Sequence, residues 1–275
     1  MPLFGVVSAG GVPKATITGT TGAPVIDTTT RPGKTIYKWT GSGSVTVGVG
    51  GTCEVLVLGG GGAGGGGGNS YGGGGGAGGY VYNTSRFIPS GTLTITIGPG
   101  ASAATDQAIG FPSGIGTGTN SAVVAIGGGT GAMLAGNNTR PFSGGSSGGD
   151  RAQGVAAAAF LGQGNTGGTS TINAGAGGGG GGTVGGSTTN VNAGGNGGSG
   201  TAISITGPSV TYAGGGGGAS QGTQGTGGTG GGGTANITVN GGAGTANLGG
   251  GGGGAFNSGF VGGAGGSGYL VIVIG

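Results

Sequence analysis

The sequence predicts an all-β fold in which short strands alternate with glycine tracts. Glycine supplies 92 of the 275 residues. The segments between the glycine blocks are rich in Thr, Val and Ile, with apolar and polar residues alternating, as in half-buried strands. The one segment with helix propensity, Val155–Leu161, is short and flanked by glycine, so a stable helix is disfavoured. We therefore expect strands, glycine tracts and very little α-helix.

The clearest strand region covers residues 35–58. Apolar side chains recur there at every second position within short runs, and they are Tyr37, Trp39, Val45, Val47, Val49, Val55 and Val57. Trp39 is expected to anchor a core. Further strand-like segments, all with β-branched or aromatic residues, lie at 4–7, 15–18, 80–82, 92–97, 122–126, 201–206, 209–212, 236–239 and 269–274. The last of these is almost wholly apolar, which predicts burial.

The longest glycine tract, residues 59–79, reads GGGGAGGGGGNSYGGGGGAGG and connects two strand-like segments. Glycine has no Cβ, so such segments can form extended three-fold helices of the polyproline II type and lie side by side. Their N–H and C=O groups must then pair with neighbouring segments, and side chains are expected only on the rim. We expect Asn69, Ser70 and Tyr71 at an exposed tip, where the chain reverses.

Glycine tracts cannot order by themselves. Fixing one residue costs ~1–2 kcal/mol, and a hydrogen bond returns a net ~0.5–1.5 kcal/mol. The strands at both ends of each tract supply the missing support. The same alternation of strand and tract recurs at 174–186, 213–218 and 248–254, so we expect all tracts to order together on one β scaffold.

Residues 1–34 are expected to form an extended N-terminal arm, followed by a glycine-rich domain over 35–275. Four prolines exclude a regular helix in the arm, which has room for one or two strands. One interpretation is a docking segment for another protein, and the other is a frayed terminus. The candidate docking residues are Phe4, Val6, Val7, Lys14 and Ile17.

The polar residues do not form a catalytic or cofactor site. The chain has no histidine, so histidine-based triads and metal sites are excluded. Its four carboxylates have no motif spacing, and the Gly33-Lys34-Thr35 triplet lacks the leading glycine of a phosphate-binding loop. We expect no enzyme, cofactor or metal. The basic residues Lys14, Arg31, Lys34 and Lys38 are interpreted as a solvated face rather than a nucleic-acid site.

The cysteine content and the apolar runs of the sequence predict the cellular compartment in which the protein is made. Cys53 is the single cysteine, so no intrachain disulfide can form, and we expect it to be a small buried strand residue. The N-terminal residues lack the features of a secretory signal, and no apolar run approaches the ~20 residues that span a bilayer. We expect synthesis in the cytoplasm, no membrane insertion, and release with an assembled particle.

Several segments, taken in order, resemble one known family. Residues 38–49 read KWTGSGSVTVGV, residues 54–64 read EVLVLGGGGAG, and two later pieces lie at 91–98 and 262–273. Together they are similar to the glycine-rich domain of bacteriophage tail-fibre and related virion proteins, over about 35–275. That family's fold is a β-sandwich-like scaffold with packed polyglycine helices. A similar lattice occurs in the tip adhesins of T-even phage tail fibres.

The resemblance implies a function. In the tip adhesins, loops between glycine tracts contact the bacterial surface. By position, these would be Asn69, Ser70 and Tyr71 here, with 187–192 and 220–226 as weaker candidates. The implied protein is a homotrimeric virion component that docks on other virion proteins and attaches to a host surface glycan or outer-membrane protein. The alternatives are a head or neck decoration protein and a secreted bacterial surface or matrix protein.

Overall fold

The computed structural model of the chain describes residues 12–66, 70–103, 108–116, 122–133, 140–256 and 259–275. These residues contain twelve β-strands and no α-helix, which confirms the all-β prediction. The strands are β1 (Ile17–Thr21), β2 (Val25–Asp27), β3 (Thr35–Trp39), β4 (Gly43–Val47), β5 (Gly51–Leu58), β6 (Tyr80–Ile88), β7 (Gly91–Thr96), β8 (Ser113–Ile115), β9 (Val123–Ala125), β10 (Thr201–Ile203), β11 (Val210–Tyr212) and β12 (Tyr269–Ile274).

Two antiparallel five-stranded sheets pack face to face as a β-sandwich. The first sheet has the order β2-β3-β12-β5-β6, and the second has the order β1-β4-β7-β8-β9. Their facing side chains form one core, in which Trp39 and Ile272 of the first sheet meet Val45 and Ile95 of the second. Trp39 is fully buried, and its indole N–H donates to the carbonyl of Thr21 at 3.0 Å. The prediction of a core anchor is confirmed.

The central strands β5 and β12 are buried on both faces. Val55 and Val57 point into the sandwich core, whereas Leu56 and Leu58 face a second core. That second core is closed by the hairpin of β10 and β11, which contributes residues such as Ile203. A strand covered on both sides has no polar face. This explains the continuous apolar runs at the end of β5 and throughout β12.

The described part of the N-terminal arm belongs to the sandwich. β1 pairs with β4 and β2 pairs with β3, so each of the two short strands forms an edge of one sheet. Ala15 is buried in the core, and Ile17 packs against it. The sheets therefore continue across residue 34, and the expected division between arm and domain does not coincide with a structural break.

Backbone hydrogen bonds join the glycine segments into what we call the glycine lattice. In the segment 59–65, successive N–H groups donate in three directions. In the first direction, the N–H groups of residues 59, 62 and 65 donate to the carbonyls of 79, 76 and 73, respectively. In the second, residues 60 and 63 donate to 111 and 108. In the third, residues 61 and 64 donate to 266 and 263. Each direction therefore recurs every third residue, which is the repeat that a three-fold helix would give.

The segment 72–79 lies at the centre of the lattice. Its N–H groups donate to three neighbouring segments, and its carbonyls accept from three others. The six neighbours lie at 59–65, 126–132, 146–149, 176–179, 216–219 and 249–255. A strand in a sheet has at most two bonded neighbours, so this packing extends in two dimensions across the segment axis.

Close backbone approach explains why these positions are glycine. An ideal Cβ on Gly61, Gly64 or Gly74 would lie 2.0 Å from a carbonyl oxygen of a neighbouring segment. None of these glycines has a positive φ, so space rather than backbone conformation requires glycine there. The lattice nevertheless holds alanine inside, because Ala63 and Ala77 are fully buried. The expectation that side chains lie only on the rim was wrong.

One local prediction from sequence was wrong, and another is confirmed. Residues 236–239 do not form a strand, because Asn236 Oδ1 accepts from the N–H groups of Thr238 and Val239 and closes a turn. The alanine-rich segment 155–161 is not helical. Its residue Ala159 pairs with Gly144 in an isolated bridge, so the lattice edge overrides a weak local propensity.

Candidate attachment site

The glycine lattice has two ends. At the sheet end, its segments continue into strands, such as β5, β6, β11 and β12. At the distal end, the tips of several segments are aligned by direct hydrogen bonds. Gly175 N donates to Ala219 O, Ala219 N donates to Gly72 O, and Gly195 N donates to Gly175 O. The loops next to these residues in the chain therefore lie together at the distal end, and they include Ser70, Tyr71 and the segments 187–192 and 220–226.

Tyr71 is not an exposed tip residue. Its side chain is 5% exposed and stacks on Phe256, with ring centroids 4.2 Å apart and planes 13° apart. Ala219, Ala235 and Ile237 complete this small apolar cluster. The ring lies over the end of the lattice, and burial of an aromatic side chain outweighs exposure at a tip.

Ser70 and Asn69 are the other two residues that the sequence analysis placed at an exposed tip. Ser70 is 1% exposed, so its expected exposure is wrong as well. Asn69 lies outside the described residues. The proposed contact of Ser70 and Tyr71 with a receptor therefore requires side chains that the fold has turned inward.

The two weaker candidate segments, 187–192 and 220–226, lie side by side, and we call them the paired loops. Gln221 N donates to Val191 O at 3.0 Å, and Thr223 N donates to Asn192 O at 2.8 Å. The residues at their crest are exposed, and they are Thr189, Asn190, Val191, Asn192, Gln221, Gly222 and Thr223. The structure therefore brings together two segments that are separated in sequence.

Internal hydrogen bonds hold the paired loops in shape. Thr188 Oγ1 donates to Ala193 O at 2.6 Å, and Ser220 Oγ donates to Thr223 O at 2.7 Å. The Gln224 side chain donates to the carbonyls of Ser220 and Gly222. Loops ordered in this way lose little entropy on binding. They contain no charged residue, so their exposed carboxamides and hydroxyls offer neutral hydrogen-bonding groups.

The candidate docking residues fall into two groups. Phe4, Val6 and Val7 lie outside the described residues. Lys14 is exposed and pairs through its backbone with Thr52, whereas Ile17 is half-buried against the sandwich core. Ile17 thus has a structural role inside the domain, because strand β1 needs an inward-facing apolar residue.

The basic residues of the N-terminal part are held by acceptors rather than by solvent alone. Arg31 binds Glu54 through two hydrogen bonds, Lys38 lies 3.3 Å from Asp27, and Lys34 donates to the backbone carbonyl of Gly275. The Asp27 carboxylate accepts mainly from the backbone and hydroxyl of Thr30, and these contacts hold its pKa well below the ordinary range. The interpretation as a purely solvated face was incomplete.

Cys53 is a buried residue of β5, as expected. Its thiol is 3% exposed and contacts the carbonyl of Arg86 at 3.5 Å. Burial raises the pKa of this thiol to about 12. A thiol with so little thiolate at neutral pH is a poor nucleophile.

Comparison with known families agrees with this architecture. A family profile described as a glycine-rich domain matches residues 38–274, from near the end of β3 to the end of β12. The chain belongs to this glycine-rich domain family. The matched residues of the glycine-rich domain include the whole lattice and the paired loops. A search of curated proteins finds no match.

Metal-binding clusters and membrane-spanning helices are both missing from the described residues. Within the described ranges, the glycine-rich domain has no group of three or more His, Cys, Asp or Glu side chains that could hold a metal ion. The part of the chain that the structure describes also contains no helix of the length and hydropathy that a bilayer crossing requires.

Proposed function

We propose that this protein is a non-enzymatic structural component of a bacteriophage virion, in a tail fibre or tail tip, where its glycine-rich domain serves host attachment. The observation that carries the proposal is the position of the paired loops. They are ordered, uncharged and exposed, and they lie at the end of the lattice opposite the sandwich. A display element needs this separation between the part that anchors it and the part that makes contact.

The lattice suits a display role because hydrogen bonds support its central segment from six neighbouring segments, an arrangement that should resist bending across the segment axis. These hydrogen bonds lie in an interior with little water, where a hydrogen bond is electrostatically stronger than it is in solvent. We further propose that the segments are three-fold helices of the polyproline II type. The three-residue repeat of their hydrogen bonds supports this geometry.

The proposed partners lie at opposite ends of the molecule. At the distal end, the partner is a host surface glycan or an outer-membrane protein, which neutral carboxamides and hydroxyls can recognise through hydrogen bonds. Other virion proteins would bind the N-terminal arm, and the assembly proposed for the fibre is a homotrimer. Since β1 and β2 occupy the edges of the two sheets, we assign the docking role to residues 1–11, which precede both strands.

Labelling of intact particles tests the position in the virion. Antibodies against the purified domain should decorate tail appendages of the phage that encodes this chain. Decoration of the capsid would instead favour a head or neck decoration protein. Absence from particles, with label on bacterial cells or in the medium, would favour a secreted surface or matrix protein.

A competition experiment tests the attachment surface. The purified protein should reduce adsorption of the phage to host cells. The variant Gln221→Arg places a charge on the paired loops and should lose at least tenfold in competing potency. The matched control Val184→Arg places the same charge on an exposed residue near the sheet end, where Val184 is 61% exposed. Equal potency of both variants would contradict the assignment of the paired loops.

Removing residues 1–11 tests the docking role. The shortened protein keeps both edge strands, so it should fold and compete with the phage as well as the full chain does. It should be missing from particles when it replaces the full chain. Normal incorporation would show that docking uses another surface.

A further inference from the structure

A groove of about 460 Å³ opens at the sheet end of the lattice, far from the paired loops. It lies where β3 and β12 meet the β10–β11 hairpin and the turn at 247–248. Small-molecule sites typically have volumes of about 300–1,000 Å³. The groove can therefore hold a small ligand, and it is too small for a folded partner element such as a helix.

The apolar part of the groove comes from two tyrosines together with Leu248, Val210 and Pro208. Tyr212 and Tyr269 stack with ring centroids 6.2 Å apart and an angle of 22° between planes. Leu248 and Tyr269 are half-buried, so part of each is available to a ligand. Burial raises the pKa of both phenols, so both stay neutral at physiological pH. The two tyrosines and Leu248 together form an apolar surface, against which the C–H groups of a ligand ring can pack.

An ion pair on the opposite side of the groove is electrically balanced. The Asp27 carboxylate accepts from the backbone and hydroxyl groups of Thr29 and Thr30, and from Lys38 Nζ at 3.3 Å. These five hydrogen bonds use the acceptor capacity of the carboxylate. The Lys38 ammonium has three donors, of which Asp27 takes one. This side of the groove therefore offers hydrogen-bond donors without a net charge.

Asn247 contributes a second set of donors. It is held at a φ of 62°, a conformation that costs energy for a residue other than glycine. Its N–H donates to Ser267 Oγ at 3.0 Å, and the Ser267 hydroxyl donates to Asn247 Oδ1 at 3.2 Å. Within the described ranges, the carboxamide NH₂ makes no hydrogen bond. The local fold thus fixes the oxygen of this side chain and leaves its nitrogen for a ligand.

We propose that this groove binds one or two residues of a neutral saccharide. The chemistry on both sides matches such a ligand: an aromatic and aliphatic surface for the ring C–H groups, and ammonium and amide donors for hydroxyl oxygens. The threonine hydroxyls of Thr40 and Thr206 on the rim can donate or accept, whereas the Thr30 hydroxyl donates to Asp27 and can only accept from a ligand. The inference stands on the chemistry of the groove and does not depend on the attachment function proposed above.

Saturation-transfer NMR with the full-length protein tests the proposal. The probes are glucose, galactose, N-acetylglucosamine and the disaccharides maltose, lactose and chitobiose, with glucuronic acid as a charged comparison. At least one neutral sugar should bind, with a dissociation constant of about 0.1–10 mM. Binding by glucuronic acid alone, or by no probe, would overturn the proposal.

Variants place the bound sugar in the groove. Asn247→Gly removes the carboxamide and keeps the positive φ unstrained, and Lys38→Gln removes the ammonium. Each of these two variants should weaken sugar binding at least fivefold. The melting temperature of each variant, measured in parallel, shows whether it is still folded. Val184→Arg, which changes a residue outside the groove, should bind the sugar as the wild type does. Unchanged binding in both groove variants would overturn the proposal.

The assay separates the two proposals because it uses purified protein and no particles. Label on tail fibres without sugar binding would overturn the groove assignment alone. Sugar binding by a protein that is absent from particles would overturn the virion function alone.

Discussion

The guanidinium of Arg31 binds the carboxylate of Glu54 through two hydrogen bonds of 2.8 and 2.9 Å. The same guanidinium donates to the backbone carbonyl of Ile205 at 3.1 Å. Arg31 lies in the connection before β3, Glu54 in β5, and Ile205 next to the β10–β11 hairpin. One side chain therefore ties the N-terminal part of the domain to both faces of the second core.

Loss of this ion pair should destabilise the domain measurably. Arg31→Met keeps the aliphatic stem and leaves Glu54 without its partner, and we expect a loss of about 1–2 kcal/mol in the free energy of unfolding. The figure is modest because both side chains are partly exposed, at 26% and 16%. Urea unfolding of Arg31→Met, Glu54→Gln and the double variant measures the coupling. Additive losses would show that the two residues act independently.

A single methyl group should disrupt the centre of the glycine lattice. An ideal Cβ on Gly74 would lie 2.0 Å from Gly216 O, and 2.9 Å from Gly178 N. Backbone cannot yield as a flexible side chain does, so Gly74→Ala should cost ~3 kcal/mol. The control is Gly41→Ala, because a Cβ there meets nothing within 4 Å. It should change stability by at most ~1 kcal/mol. Equal stability of the two variants would indicate a loose tract.

The Tyr71 side chain should contribute to stability. From sequence, an exposed Tyr71 could be replaced without effect on folding. Its stacking on Phe256 instead predicts that Tyr71→Ala loses about 3 kcal/mol in the free energy of unfolding. Tyr71→Phe keeps the ring and should stay within ~1 kcal/mol of wild type. Thermal unfolding of both variants decides between the two descriptions, and an unaffected alanine variant would restore the exposed tip.

Acid should remove the stabilisation that Asp27 provides. Its pKa lies well below the ordinary 3.8 in the folded state, so the carboxylate stabilises the fold at every pH above about 3.8 and loses that effect as the pH falls further. Asp27→Asn should therefore be less stable than wild type at pH 7, and the difference should shrink below pH 3.8. Urea unfolding over a pH series measures this. A difference that grows in acid would contradict the assignment.

The strands could be predicted from sequence because side chains specify them. Alternation marked β3, β4 and β7, and the almost continuous apolar run marked β12 as a buried strand. Two strands were not predicted from sequence. They are β2, whose Val25 and Ile26 are exposed, and β8, which has the short sequence SGI. Both are three residues long. Such strands exist because a neighbour offers hydrogen bonds, and their own residues carry little signal.

The candidate sites were only partly accessible from sequence. The segments 187–192 and 220–226 could be recognised as loops between tracts, but their contact through Val191 and Gln221 depends on how the tracts pack. Tyr71 was misplaced because a residue between two glycine blocks has no local partner in sequence. Its partner Phe256 lies far along the chain. The groove at Tyr269 and Asn247 likewise joins residues from separate elements.

The sequence by itself determined an all-β protein with ordered strands, a buried Trp39, a buried thiol and glycine tracts that need a scaffold. Only the tertiary structure decided which tracts are neighbours, which residues the lattice buries, and where its ends lie. The physical reason is that glycine has no side chain. A run of identical residues can bond in many registers, and the strands that anchor each run select one of them.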